Sequence, residues 1–384
     1  VKYMDRIYFD QASSCFPRPR EVLDSMYDCL VNYGMNINRS TSSGGYHLEE
    51  QVYECREKIA AFFHAKDSRL VAFTKNVTES LNIVIKGLFR PGDHVLTSGM
   101  EHNAVIRPLE QMKQHGVSYD LLPCHTDGRL RIEDISHKIK KHTRALILTH
   151  ASNVCGTLMP LQEVGALCKE HNILFIVDAA QTAGRIPIHM QEMHIDILCF
   201  TGHKSLMGPQ GSGGVVFNDE VYRQIDPLIA GGTGSISSSI QMPEFMPDKF
   251  EAGTPNIPAI VGLYTALQWI EKRGTEPIHA HEMALTERFI AGLQALHIPF
   301  VGMQSCSDRM AIVSLHLKKD MALVANELEE RFGIVTRVGM HCAPLAHQSL
   351  GTYPEGTLRF SFGCFNTPAE IDIALSALKE ILWN

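Results

Sequence analysis

The sequence predicts an α/β fold: a large, seven-stranded and mainly parallel sheet flanked by helices, followed by a smaller α/β domain. Three observations carry this. Between Arg69 and Phe217, short apolar β-branched runs alternate with amphipathic stretches of helical period. The chain has 384 residues, 45% of them hydrophobic, enough for a large core and for more than one domain. Beyond Ile257 a long helical region precedes a second, shorter strand–helix pattern.

In chain order, strands are expected at 70–73, 94–98, 117–122, 145–149 and 173–177, then at 195–200 and 214–217. No helix-length segment separates the last two, so that part of the sheet is expected to be mixed. A helix over 78–88 stops before Arg90, Pro91 and Gly92, and another over 160–170 opens with proline. The Gly/Ser-rich stretch 231–239 and the Pro-punctuated 242–249 read together as a long exposed loop. The later pattern places strands at 310–316, 334–337 and 357–361 and helices at 321–332 and 368–382. The domain division expected is 16–260 for the large domain, with 1–15 and 261–384 forming the small one.

The formal net charge of −7 comes without any Lys/Arg block, which argues against nucleic acid or an anionic membrane as partner. A small-molecule substrate is the better expectation. The first residues lack an apolar signal core, and no stretch approaches the roughly 20 apolar residues of a membrane span, so the chain reads as cytoplasmic. Its ten cysteines are scattered, with no CxxC spacing, and its histidines form no HExxH. Reduced thiols and no metal site are expected.

In a parallel α/β sheet the ligand lies at the carboxyl ends of the strands. The first strand ends in Thr74, Lys75 and Asn76, turning into a helix whose start offers Val77 and Thr78, a position suited to phosphate. Other strand ends supply Glu101, His102 and Asn103; His150 and Asn153; Asp178 and Gln181; and Thr201, His203 and Lys204. Each has an ordinary structural explanation by itself, as a cap, a packed loop residue or a solvated charge. Converging on one edge, an amine, a carboxylate, an imidazole, two amides and several hydroxyls match what a phosphorylated pyridine aldehyde requires.

These residues resemble the class V aminotransferase fold, within the cysteine desulfurase and selenocysteine lyase group. The most specific stretch is ThrGlyHisLys at 201–204 followed by GlyProGlnGlySerGly at 208–213. The likeness extends from PheAspGlnAlaSerSer at 9–14 through PheGluAlaGlyThrProAsn at 250–256 to ArgPheSerPheGlyCysPheAsnThr at 359–367. The resemblance implies a fold-type I pyridoxal 5'-phosphate enzyme. Lys204 would hold the cofactor as a Schiff base, Asp178 would pair with the pyridine nitrogen, and His102 would stack on the ring. Gln181 and Asn153 would contact the ring hydroxyl or the substrate. Val77 through its backbone, Thr78, Thr201 and His203 would surround the phosphate. Thr254 would reach in from a partner subunit, so a homodimer with shared sites is implied.

The reaction on such a cofactor is set by what else faces the substrate. Arg359 resembles the family arginine that grips the substrate carboxylate, a bidentate task. Cys342, in ArgValGlyMetHisCysAlaProLeuAlaHis at 337–347, lies beside His341, an imidazole expected to favour the thiolate, and matches the loop that bears the nucleophile in desulfurases. The implied reaction takes sulfur from L-cysteine, releasing alanine and leaving a Cys342 persulfide for a thiol acceptor, with His102 available for proton transfer. Selenocysteine cleavage, C–S lysis and transamination remain open on the same cofactor. A non-catalytic sulfur-transfer scaffold is opposed by the intact Lys204, Asp178 and His102, and a Rossmann dehydrogenase by the absence of GxGxxG after the first strand.

Overall fold

The computed structural model describes residues 6–34, 37 and 43–383. The chain opens with strand β1 (Ile7–Tyr8), helix α1 (Arg20–Asp28), a π-helical turn, and helix α2 (Ser43–Phe62). The large sheet is built by β2 (Val71–Thr74), α3 (Val77–Leu88), β3 (His94–Ser98), α4 (Asn103–Lys113), β4 (Ser118–Leu122), α5 (Ile135–Lys138), β5 (Thr143–Thr149), α6 (Leu161–Glu170), β6 (Leu174–Asp178), β7 (Ile197–Thr201) and β8 (Gly213–Phe217). Helices α7 (Ile257–Arg273) and α8 (Thr275–Ala295) lead to β9 (Phe300–Val301), β10 (Ile312–Leu315), α9 (Met321–Phe332), β11 (Ile334–Val335), β12 (Arg337–Gly339), α10 (Pro344–Leu350), β13 (Thr357–Ser361) and α11 (Pro368–Trp383).

The seven strands lie in the order β2-β8-β7-β6-β5-β3-β4. Every residue of the inner strands β3, β6, β7 and β8 is buried or nearly so, as expected where helices cover both faces; β4, at the edge, is partly open. Strand β8 runs antiparallel to β7 and β2, giving the mixed character expected. The cause is the connection 202–212, which holds no helix and is too short for a crossover between parallel strands. Gly202 is required in that turn, because a Cβ there would sit 2.1 Å from Ser212 Oγ.

A second sheet is antiparallel, in the order β12-β13-β10-β9. The single strand expected over 334–337 is split at Thr336: β11 pairs with β1, whereas β12 pairs with β13. The N-terminal segment is threaded into this region, with the Phe9 N–H donating to Val335 O at 2.9 Å and Ser361 N–H donating to Phe9 O at 2.8 Å. Phe9 shares a core with Phe289, Phe360 and Phe362. Burying such side chains contributes about 1.5–3 kcal/mol each, which is why a two-residue strand can hold its place.

Between the two sheets, Arg185 Nε donates to Glu282 Oε1 of α8 at 2.8 Å, both side chains being almost wholly buried. The same guanidinium donates to Ser205 O, next to Lys204, at 2.6 Å. Removing one partner of such a pair strands a buried charge. Glu282→Ala is therefore expected to lower stability by about 3–5 kcal/mol, read as a fall in denaturant midpoint, with Glu282→Gln costing less because its amide oxygen still accepts.

Candidate active site

Strand order and register bring the polar residues together. Thr149 lies opposite Asp178 across β5 and β6, Asp178 opposite Cys199 across β6 and β7, and Thr201 opposite Gly213 across β7 and β8. A cavity of about 270 Å³ opens at this edge. It is lined by Val77, Thr78, His102, Asn153, Asp178, Gln181, Thr201, His203 and Lys204, nine of the residues singled out from the sequence, and also by Asn76, Thr149, Ala151 and Ala180. Thr254 lies elsewhere, in a separate cavity with Leu228, Ile229 and Phe250.

Burial sets the charges here. Lys204 is pushed down to about 8, by desolvation first, with Asp178 pulling upward and Arg359 and Arg337 pulling downward. Desolvation raises the Asp178 carboxyl, opposed by the Ala180 N–H that donates to its Oδ1 at 2.9 Å and by the Lys204 charge. His102 falls to about 3 through desolvation and the neighbouring cations Lys204, Arg337, Arg107 and Arg359. It is a neutral imidazole, and its Nδ1 accepts the Ala104 N–H at 3.0 Å as the N-cap of α4, leaving the proton on Nε2. His203 is likewise lowered to about 4 by burial and Lys204, so it acts as a neutral hydrogen-bonding group.

The cavity has unmet polar capacity. Thr201 is buried and, among the described residues, its Oγ1 has no hydrogen-bond partner. At the start of α3, Asn76 caps the Glu79 N–H at 3.0 Å, while the first-turn N–H groups at Val77 and Thr78 have no intrahelical acceptor. A helix start, an unpaired hydroxyl, a buried carboxyl and a neutralisable amine fit an anionic, phosphate-bearing ring with a cationic nitrogen and a carbonyl carbon.

Arg359 and Cys342 arrive from the second sheet. Arg359, in β13, is 1% exposed and donates to Asn153 O at 2.9 Å, Asp10 Oδ1 at 2.7 Å and Ser13 Oγ at 2.8 Å, while its Nε is unpaired among the described residues. Cys342 is exposed and sits in a tight turn in which His341 and Cys342 both adopt left-handed backbone, with φ of 48° and 57°. Such conformations cost on the order of 1–3 kcal/mol each. They are held by two bonds to the large sheet's end: Asn153 Nδ2 donates to His341 O at 2.7 Å, and Asn103 N–H donates to Cys342 O at 2.8 Å.

The expectation that His341 favours the Cys342 thiolate is not met. His341 is buried, its Nε2 engaged with Thr357 at 3.0 Å, and burial holds it far below the usual imidazole range. The cation beside the thiol is instead Arg337, whose Nη2 lies 4.0 Å from Cys342 Sγ. His347 also turns inward, to Thr352 Oγ1 at 2.7 Å. Glu101, which the sequence offers at a strand end without a role, is wholly buried: it accepts the Ser98 hydroxyl at 2.6 Å and the Thr149 N–H at 3.0 Å, and so ties the end of β3 to β5. Asp10, Ser13 and Arg337 stand in stretches singled out from the sequence, but nothing local announces that residue 10 will meet residue 359.

The family model for class-V aminotransferases matches residues 7–374, and the chain belongs to that family. A probable cysteine desulfurase of Pyrococcus abyssi is 33% identical over 387 residues, covering 98% of this chain and 94% of the relative. A cysteine desulfurase of Escherichia coli is 29% identical, with 97% and 93% covered. Among solved structures, the apo cysteine desulfurase of Thermococcus onnurineus superimposes with a TM-score of 0.92 at 29% identity, covering 99% of this chain and 95% of that one. The Escherichia coli cysteine desulfurase CsdA (S-sulfonic acid) gives 0.86 at 26% identity, with 98% and 95% covered.

An amine brought down to about 8 is a competent nucleophile near neutrality. A phosphorylated aromatic aldehyde, trapped by borohydride and mapped by peptide mass, is expected to modify Lys204 with a yield that rises as pH passes through about 8. Adducts spread evenly over surface lysines would contradict this site.

Proposed function

We propose that this member of the class-V aminotransferase family is a pyridoxal 5'-phosphate-dependent cysteine desulfurase that converts L-cysteine to L-alanine and carries the sulfur away on Cys342. The observation that carries the reading is an exposed thiol in a strained turn, fastened by Asn153 and Asn103 to the sheet edge where Lys204 and Asp178 share one cavity. Relatives of nearly the same length bearing the name cysteine desulfurase support it.

When bound, pyridoxal phosphate supplies an electron sink for the bonding pair released at the substrate Cα. The chain's own residues do the rest. Lys204 would hold the cofactor and, when free, would take the Cα proton; its depressed basicity suits both roles near neutral pH. Asp178 would pair with the ring nitrogen, whose positive charge would compensate its buried carboxyl. His102, neutral, would pack on the ring and could give a proton only from Nε2. Val77 through its backbone, Thr78, Thr201 and His203 would receive the phosphate, and Gln181 and Asn153 the ring hydroxyl or the substrate. Arg359 binds the substrate carboxylate, which competes with Asp10 for the guanidinium. Cys342 would attack the substrate sulfur: the Sγ–S bond forms, the Cβ–S bond breaks with its electron pair kept by the carbon fragment, and that fragment, protonated at Cβ and again at Cα, leaves as alanine.

Thr254 completes the site from a second copy of the chain. The exposed apolar residues Leu228 and Ile229 beside it, and Ile236, Ile240 and Phe245 in the loop 231–249, support such a contact. No helix among the described residues is long and apolar enough to cross a membrane, and we place the enzyme in the cytoplasm.

Cys342→Ala is expected to reduce alanine release from L-cysteine by at least about 100-fold, in the range of nucleophile deletions, while leaving the yellow cofactor band intact; Lys204→Ala is expected to lose the band. Unchanged alanine release in Cys342→Ala, or undiminished selenocysteine cleavage without cysteine turnover, would move the assignment to a lyase. Gel filtration is expected to give twice the 42.8 kDa chain mass.

A further inference from the structure

The charges around Cys342 are unbalanced. In the antiparallel pairing of β12 with β13, Arg337 lies directly opposite Arg359. Like charges in that position repel. Among the described residues one carboxylate is supplied to the pair: Asp10, bound to Arg359 at 2.7 Å. Among those residues Arg337 makes no ion pair; its Nη1 donates to Ser13 Oγ at 2.8 Å, and its Nη2 lies 4.0 Å from Cys342 Sγ. A second cation without a side-chain partner among the described residues lies one turn into α4, the helix whose first N–H holds the Cys342 carbonyl. Asn103, whose N–H holds the Cys342 carbonyl, begins α4; Arg107 follows one turn later on the same helical face, and helical side chains lean toward the N-terminus. Arg107 is exposed and, among the described residues, makes no hydrogen bond or ion pair.

We infer that Arg337 and Arg107 form a second anion-binding position outside the one held by Arg359, and that it recruits the sulfur acceptor as a small thiol carrying its own negative charge. This rests on the desulfurase reading and names the second substrate of the same site. The amino-acid substrate already has Arg359 for its carboxylate, so these outer guanidiniums are left for what arrives next. In the transfer, the acceptor thiolate attacks the outer sulfur of the Cys342 persulfide. A new S–S bond forms on the acceptor, the Sγ–S bond breaks, and Sγ keeps the electron pair as a thiolate. No other oxidant or reductant takes part. Arg337 stands where that leaving thiolate develops, and Arg107 where the acceptor's anionic group would lie.

Two measurements on the cofactor-loaded protein test this. In the first, Cys342 is alkylated with iodoacetate or iodoacetamide and the modified peptide is followed by mass. The iodoacetate-to-iodoacetamide rate ratio is expected to exceed that of a small neutral thiol by at least about 10-fold at low salt, the lower end of electrostatic steering, and to fall as salt is added. Arg107→Glu should remove most of the excess and Arg107→Lys should retain it. In the second, steady-state alanine release is measured with 2-mercaptoethanesulfonate, 2-mercaptoethanol or cysteamine at equal thiolate concentration. The anionic thiol should be the best acceptor and the cationic one the poorest, with the order compressed in Arg107→Glu. A ratio equal to that of the free thiol, a ratio unmoved by Arg107→Glu, or equal use of the three acceptors overturns the inference. Preserved iodoacetate preference with no alanine from any acceptor would instead defeat the desulfurase reading and leave the anion position standing.

Discussion

Keeping a lysine amine and an aspartate carboxyl out of water in one cavity is the constraint on which the arrangement depends. Neither Lys204 nor Asp178 is comfortable there: desolvation drives the amine down and the carboxyl up, each toward its neutral form. Such a site persists only if its surroundings are rigid. The inner strands supply that rigidity, being buried on both faces and locked in register, so that their last residues cannot retreat into solvent. Glu101 adds a further tie by accepting from both Ser98 and Thr149, joining neighbouring strand ends.

The second sheet brings what the first lacks. Arg359 and the Cys342 turn belong to strands and loops whose partners are mostly local, yet both are fixed by contacts with the large sheet's edge. Arg359 donates to Asn153 O, and Asn153 donates to His341 O, so one asparagine links guanidinium, thiol loop and cavity wall. The left-handed backbone at 341 and 342 is affordable because both carbonyls have found fixed donors. The result is an exposed thiol on a short, anchored turn beside an arginine, where a long loop could place it only by ordering itself.

The cations gathered at this junction have a shared consequence. Burial first, and these cations second, keep His102 and His341 neutral, so neither imidazole supplies positive charge to the thiol. That duty falls to the guanidiniums, which stay charged at any pH the protein meets. Adjacency in sequence pointed to His341, and burial against Thr357 removed it from that role.

The sequence by itself determined the α/β class, all seven strands of the large sheet to within a couple of residues, the mixed character at β8, and the set of residues at the strand ends. These features are written in local period and in turn residues, and a parallel sheet delivers its strand ends to one edge whatever the details. The split of 334–337 into two strands, the small sheet's antiparallel order, the embrace of Arg359 by Asp10 and Ser13, and the replacement of His341 by Arg337 next to Cys342 were decided only in three dimensions. Each depends on contacts between residues well separated in the chain, by more than 300 positions for Asp10 and Arg359, or on how deeply a ring is buried. Desolvation and long-range pairing have no local signature, so the chain states which groups are present at the site, and the tertiary structure decides which of them are charged.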